Sequence, residues 1–172
     1  MLTNYRLKLP GHLKSKLMRC VCMILILTAF ALSCNKKNDV ACMPVSPDDE
    51  AAQIASFCNA HSISYNTDSN GIYYQIIEQG SGIRPDMNSA ITVTYTTATL
   101  DGSIIEDNTA NAVTKPLSDF IEGWRIALPY LQKGGRIKMV IPSALAYGCT
   151  GIENLIPPNT PLYYDVVLIN VE

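Results

Sequence analysis

The chain has 172 residues, room for about one domain with short extensions, and its 48% hydrophobic content excludes wholesale disorder. Five of its 13 Lys and Arg fall within the first 33 residues, which leaves 8 bases against all 15 acids beyond them, a formal net of −7. That balance excludes the basic footprint of a nucleic-acid binder, and the scattered acids read as a solvated surface.

The first 33 residues read as a secretory signal. Arg6, Lys8, Lys14, Lys16 and Arg19 form a basic stretch without an acid, and the apolar run Val21 to Leu32 follows. That run is too short for a comfortable permanent span of a bilayer. The sequence Ala31-Leu32-Ser33-Cys34 resembles the bacterial lipobox, with Ala31 where that pattern usually has Leu. The resemblance implies lipidation of Cys34 and a membrane anchor of acyl chains rather than a helix. The alternative is ordinary cleavage near Ser33 with Cys34 free or bridged.

Residues 34–47 read as a flexible tether of Asn, Lys, Asp, Ser and Pro. Residues 48–70 form a short helix and a linker. Asp48, Asp49 and Glu50 suit the positive end of a helix, and Ala51, Ile54, Ala55 and Cys58 follow at helical spacing. Cys42, Cys58 and Cys149 are left for one disulfide in an exported setting, and spacing does not choose among the three pairings. Beyond the signal the only His is His61, read as a helix-end or surface residue, so no metal site is expected.

From residue 72 the pattern becomes β-like. Strands are expected at 72–77, at 90–100 and, after the Asp101-Gly102 reversal, at 103–106. Residues 108–115 read as a short loop. Trp124, Ile126, Ala127, Tyr130 and Leu131 describe one face of a helix over 124–131, closed by Gly134-Gly135. Two further strands, 136–141 and 162–171, complete an α+β domain with an antiparallel sheet and one short central helix.

Aromatic and apolar residues beside Gly or Pro at loop edges are what a small apolar cleft on a sheet scaffold needs. They occur in Phe120-Ile121-Glu122-Gly123-Trp124, Leu145-Ala146-Tyr147-Gly148 and Ile156-Pro157-Pro158-Asn159. With Val93-Thr94-Tyr95-Thr96, Leu100-Asp101-Gly102, Lys133-Gly134-Gly135-Arg136, Ile141-Pro142-Ser143 and Tyr164-Asp165-Val166, the order resembles the FKBP-type peptidyl-prolyl cis-trans isomerases over residues 71–172. The resemblance implies a twisted antiparallel β-sheet wrapped around one short helix, preceded here by the N-terminal helix.

It also implies a rotamase that needs no cofactor, acting on proline-containing unfolded or nascent exported polypeptides. Trp124 would be the floor under the proline ring. Tyr95, Glu106, Ile121 and Tyr147 would complete the catalytic set, with the Ile121 N–H and the Tyr147 hydroxyl as donors. Ile105, Val113, Phe120, Leu155, Ile156 and Tyr164 would line the substrate. The family usually carries Phe-Asp where this chain has Ile105-Glu106, and another Phe near Val113. These departures predict a shallower, less aromatic and more solvated cleft, with weaker turnover. The competing reading is a weakly catalytic or non-catalytic proline-peptide-binding chaperone on the same fold.

Overall fold

The computed structural model describes residues 42–172. The signal segment, Cys34 and the start of the tether lie outside the described residues.

Helix α1, Pro47–Ala60, starts where expected. Ser46 is its N-cap: the backbone is extended (φ −69°, ψ 143°) and the side chain accepts the Asp48 N–H at 3.3 Å. Pro47 sits in the first turn, where its missing N–H costs nothing. Glu50, Ile54, Phe57 and Cys58 fall on one face and are buried. His61 is the exposed C-cap residue, its Nδ1 2.9 Å from the Phe57 carbonyl.

The strands are β1 (Asn66–Thr67), β2 (Tyr73–Glu78), β3 (Ala90–Thr99), β4 (Ile104–Asp107), β5 (Val113–Pro116), β6 (Arg136–Ile141) and β7 (Leu162–Val171). They form one antiparallel sheet in the order β1-β2-β6-β7-β3-β4, with β5 also on β3. The stretch read as a loop over 108–115 therefore ends in a strand. β4 pairs with Thr96–Ala98 and β5 with Ala90–Val93, so the two share one long edge of β3.

Helix α2, Glu122–Ala127, is shorter than expected and begins two residues earlier. Pro129 has no N–H to give to the preceding turn, so the chain tightens into a 3-10 turn over Leu128–Tyr130 and leaves the helix there. The buried face is Trp124, Ala127, Leu128 and Leu131, while Ile126 and Tyr130 are half-buried. It packs on Ile91, Val93, Ile137, Met139, Ile141, Leu162, Tyr164 and Val166 from one side of the sheet. Successive strand residues alternate faces, and the other side carries a second core. There Ile54, Phe57, Cys58 and Ile63 cover Val140, with Tyr65, Tyr73, Leu100 and Tyr163 around them.

The N-terminal segment is thus part of the domain. Cys42 pairs with Cys149, with 5.3 Å between their Cα atoms. Residues 42–46 are pinned by that bond and by Asn159, whose Nδ2 donates to the Met43 carbonyl at 3.1 Å, so the flexible tether expected as far as 47 does not extend there. Closing a 107-residue separation stabilises the fold by about 2–4 kcal/mol. Cys58 remains free and buried, and desolvation pushes its thiol up to about 11.

Close approach decides how α2 sits. A Cβ on Gly123 would collide with the side chain of Ile141 on β6. Gly123→Ala should therefore push the helix off the sheet and lower stability by about 1–3 kcal/mol, read as a reduced urea midpoint. An unchanged midpoint would show that the contact is not limiting.

Candidate functional site

A cleft of about 500 Å³ opens between α2, the β3–β4 edge and the loops after β6. Trp124 forms its floor and is 2% exposed. Three rings hold the indole. Phe120 stacks parallel to it at 4.8 Å, Tyr95 meets it edge-on at 5.0 Å, and Tyr164 edge-on at 5.4 Å. Parallel and edge-on contacts both suit the ring quadrupoles. They leave the indole little freedom to tilt.

Local structure explains each position. Tyr95 and Thr97 share a face of β3 by the period of two. Phe120 closes the 3-10 turn Leu117–Asp119 with an extended backbone (φ −91°, ψ 163°), which lays its ring beside the start of α2. Ile121 is the N-cap of α2 at φ −58°, ψ 157°, and its N–H has no backbone acceptor among the described residues. The Trp124 Nε1–H is likewise buried without a partner among them. Two donors are thus unpaired at the head of the cleft.

Of the residues singled out from sequence, Tyr95, Ile105, Glu106, Phe120, Ile121, Trp124, Tyr147, Leu155, Ile156 and Tyr164 all line this cleft. Val113 does not. It pairs with Val93 and packs against the main core below the cleft, because residues 113–116 are drawn into the sheet. The remaining lining residues are Thr97, Lys115, Asp119 and Ile152. Thr97 could have been found by its spacing from Tyr95. Lys115 becomes legible only once β5 is known to be a strand.

The wall opposite the aromatic rings is aliphatic and charged. Ile105 is half-buried, whereas Glu106 is exposed and accepts the Asn108 Nδ2–H at 2.6 Å. The Asn108 N–H returns to the Tyr95 carbonyl at 2.8 Å, which ties the end of β4 to the cleft. At the rim, Leu155 is 53% exposed, and Ile152 bridges to the buried Ile156.

The phenols stay protonated well past neutrality. Burial, and next the Glu106 carboxylate, push the Tyr95 hydroxyl up to about 12. Tyr147 is raised by burial and then by Glu106. Tyr164 is raised by burial first and by Tyr147 and Tyr95 after it. The hydroxyls are therefore available as donors. Among the described residues no group of three or more His, Cys, Asp and Glu is placed to hold a metal.

An antiparallel sheet over one short helix, with an aromatic-floored cleft at the helix's N-terminal end, is the FKBP-like form of the α+β class. Residues 82–169 match the model of the FKBP-type peptidyl-prolyl cis-trans isomerase family, and the chain belongs to that family. It is 36% identical over 115 residues to a probable FKBP-type peptidyl-prolyl cis-trans isomerase FkpA of Neisseria meningitidis, covering 66% of this chain and 42% of that one. It is 38% identical over 110 residues to FkpA of Escherichia coli, covering 62% and 40%. The chain thus spans about two fifths of the length of these relatives. A crystal structure of FkpA from Escherichia coli superposes with a TM-score of 0.65 at 28% identity, covering 96% of this chain and 74% of that one.

The raised phenols have a consequence for stability. Tyr95 and Tyr163 both move from 10.0 to about 12, each chiefly by burial, so the folded state favours their neutral forms. That contribution is complete below the unfolded value of 10.0 and is lost as pH rises through about 12. Urea midpoints should hold up to pH 10.0 and then fall, with a shallower fall in Tyr95→Phe. An identical slope in the variant would remove Tyr95 from this account.

Proposed function

We propose that the chain is an exported peptidyl-prolyl cis-trans isomerase that assists the folding of proline-containing polypeptides. The observation that carries this reading is the indole of Trp124, buried and held by three rings at the base of an open cleft. Such a floor offers a flat apolar seat for a pyrrolidine ring. Nothing in the reaction demands a nucleophile.

Rotation about an X-Pro bond is opposed by amide resonance worth about 18–20 kcal/mol. The twisted amide at the top of the barrier has less charge separation than the planar one. A site that excludes water disfavours the planar, polar ground state relative to the twisted one, which is differential binding of a transition state. The unpaired Ile121 N–H and the protonated Tyr147 hydroxyl would hold substrate carbonyls and orient the peptide. Ile105, Phe120, Ile156 and Tyr164 would flank the ring, and Leu155 at the rim would meet the neighbouring residue.

The wall at Ile105 and Glu106 favours a second reading, a proline-peptide-binding chaperone with little turnover. Ile105 offers no flat ring face, and Glu106 shares its carboxylate between the Asn108 amide at the rim and the Tyr95 hydroxyl. For the isomerase, the full chain should accelerate cis-to-trans conversion of a Leu-Pro tetrapeptide in a protease-coupled assay, and Trp124→Ala should abolish most of that rate. No rate above the uncatalysed one from folded protein would sink the enzymatic claim. A large gain in Ile105→Phe/Glu106→Asp from an inactive start would instead favour the chaperone.

Export and anchoring complete the proposal. The basic and apolar leader, the lipobox-like run ending at Cys34, and a disulfide suited to an oxidising compartment support it. The anchor would hold the cleft at a membrane surface facing newly exported chains. Mass measurement of the N-terminal peptide should show acyl groups on Cys34. An unmodified Cys34 would leave an exported protein without the anchor.

A further inference from the structure

Tyr147 lies on a segment with little regular structure of its own. After the 3-10 turn Ser143–Leu145, Ala146 takes φ −114°, ψ −106°, and Gly148 takes a positive φ of 57°. The segment hangs on Ser143, whose carbonyl accepts both the Ala146 N–H at 3.0 Å and the Gly148 N–H at 2.8 Å. Ser143 in turn is held from across the domain. Its N–H donates to Glu50 at 2.8 Å and its Oγ–H to the same carboxylate at 2.5 Å.

Glu50 lies in the first turn of α1, 93 residues earlier, and is 2% exposed. Among the described residues no cation pairs with it. A buried carboxylate is an expensive way to seat a helix, because an apolar side chain on the same face would do so without desolvating a charge. Ile54 and Phe57 already fill that role on α1. What a carboxylate adds is direction: two acceptor oxygens fix both the N–H and the hydroxyl of one residue. The far end of the same segment is fixed as well. Cys149 is bonded to Cys42, and the Gly148 carbonyl accepts the N–H of Asn159, which itself holds Met43.

We propose that Glu50 is a positioning residue for Tyr147: by gripping Ser143 from α1, it sets where the Tyr147 hydroxyl stands over the Trp124 floor. The segment Cys42–Glu50 then braces both ends of the Tyr147 loop, and α1 serves the cleft as well as the outer core. This rests on the isomerase reading for the use of Tyr147, but the brace itself is a statement about geometry.

The test uses the full chain with Glu50→Ala, Glu50→Gln, Tyr147→Phe and the Glu50→Ala/Tyr147→Phe double variant. Gln preserves the grip, since its carbonyl accepts the Ser143 N–H and its amide donates to Ser143 Oγ. With a Leu-Pro tetrapeptide, Glu50→Ala should lower kcat/KM about tenfold, Glu50→Gln should stay near the parent, and Glu50→Ala should add nothing once Tyr147 is Phe. Full activity in Glu50→Ala, or the same drop in the Tyr147→Phe background, would overturn the proposal. Should Glu50→Ala not fold, Ser143→Ala, which removes the Oγ–H bond and keeps the N–H bond, should lower kcat/KM by a smaller factor, and full activity in it would overturn the proposal.

Fluorotyrosine NMR of the full chain reads the brace without catalysis. The Tyr147 resonance should be single and narrow in the parent and in Glu50→Gln, and broadened or split in Glu50→Ala, while that of Tyr163 is unmoved. An unchanged Tyr147 resonance would refute the brace even if the parent protein were inactive. A parent without isomerase activity but with the expected spectra would refute only the isomerase reading.

Discussion

Everything at the cleft depends on the seating of a helix too short to exist by itself. Six residues, Glu122–Ala127, fall well below the length at which an isolated helix is even marginal in water. The helix persists because Trp124, Ala127, Leu128 and Leu131 are buried against the sheet and because Gly123 lets its backbone approach Ile141 without a Cβ between them. Close approach and burial of the indole are one event. The geometry that stabilises the helix also places Trp124 at the base of an open cleft.

The polar groups do two kinds of work. Some of the exposed ones close turns locally. Asp68 caps the β1–β2 reversal through the Asn70 and Ile72 N–H groups, and Thr109 holds the Asp107 carboxyl below its ordinary range. Arg136 and Asp165 form a two-pronged pair across β6 and β7 on the outer face. Where the chain is buried, polar groups join distant segments, as Glu50 does with Ser143. A local turn tolerates exchange of its residue. A buried long-range pair does not, because removing one partner strands the other without water.

Much of the cleft was legible because it rests on residue types whose conformational needs are local. Phe120 through Trp124, Leu145 through Gly148 and Ile156 through Asn159 announce themselves as aromatics beside Gly or Pro, and the rings do converge on one cleft. Strands β3, β6 and β7 were legible from alternation. β5 was not, since Val-Thr-Lys-Pro is too short to show a period and becomes a strand only through its pairing with β3. That pairing seats Val113 against Val93, and Lys115 on the same strand lines the cleft. Pro129 was a readable stop inside the expected helix, and it ended α2 early.

The sequence by itself determined the element types, the family-like order of motifs and the residues that form the aromatic floor. Those follow from backbone preferences and side-chain periodicity, which act over a few residues. Only the tertiary structure decided that Cys42 pairs with Cys149, that Glu50 serves Ser143 rather than merely the positive end of its own helix, and that α1 covers the second face of the sheet. Each is a contact between segments about 90 or more residues apart in the chain, or across a sheet. Nothing in local composition encodes such distances, because they are set by how the sheet curves and where its loops return.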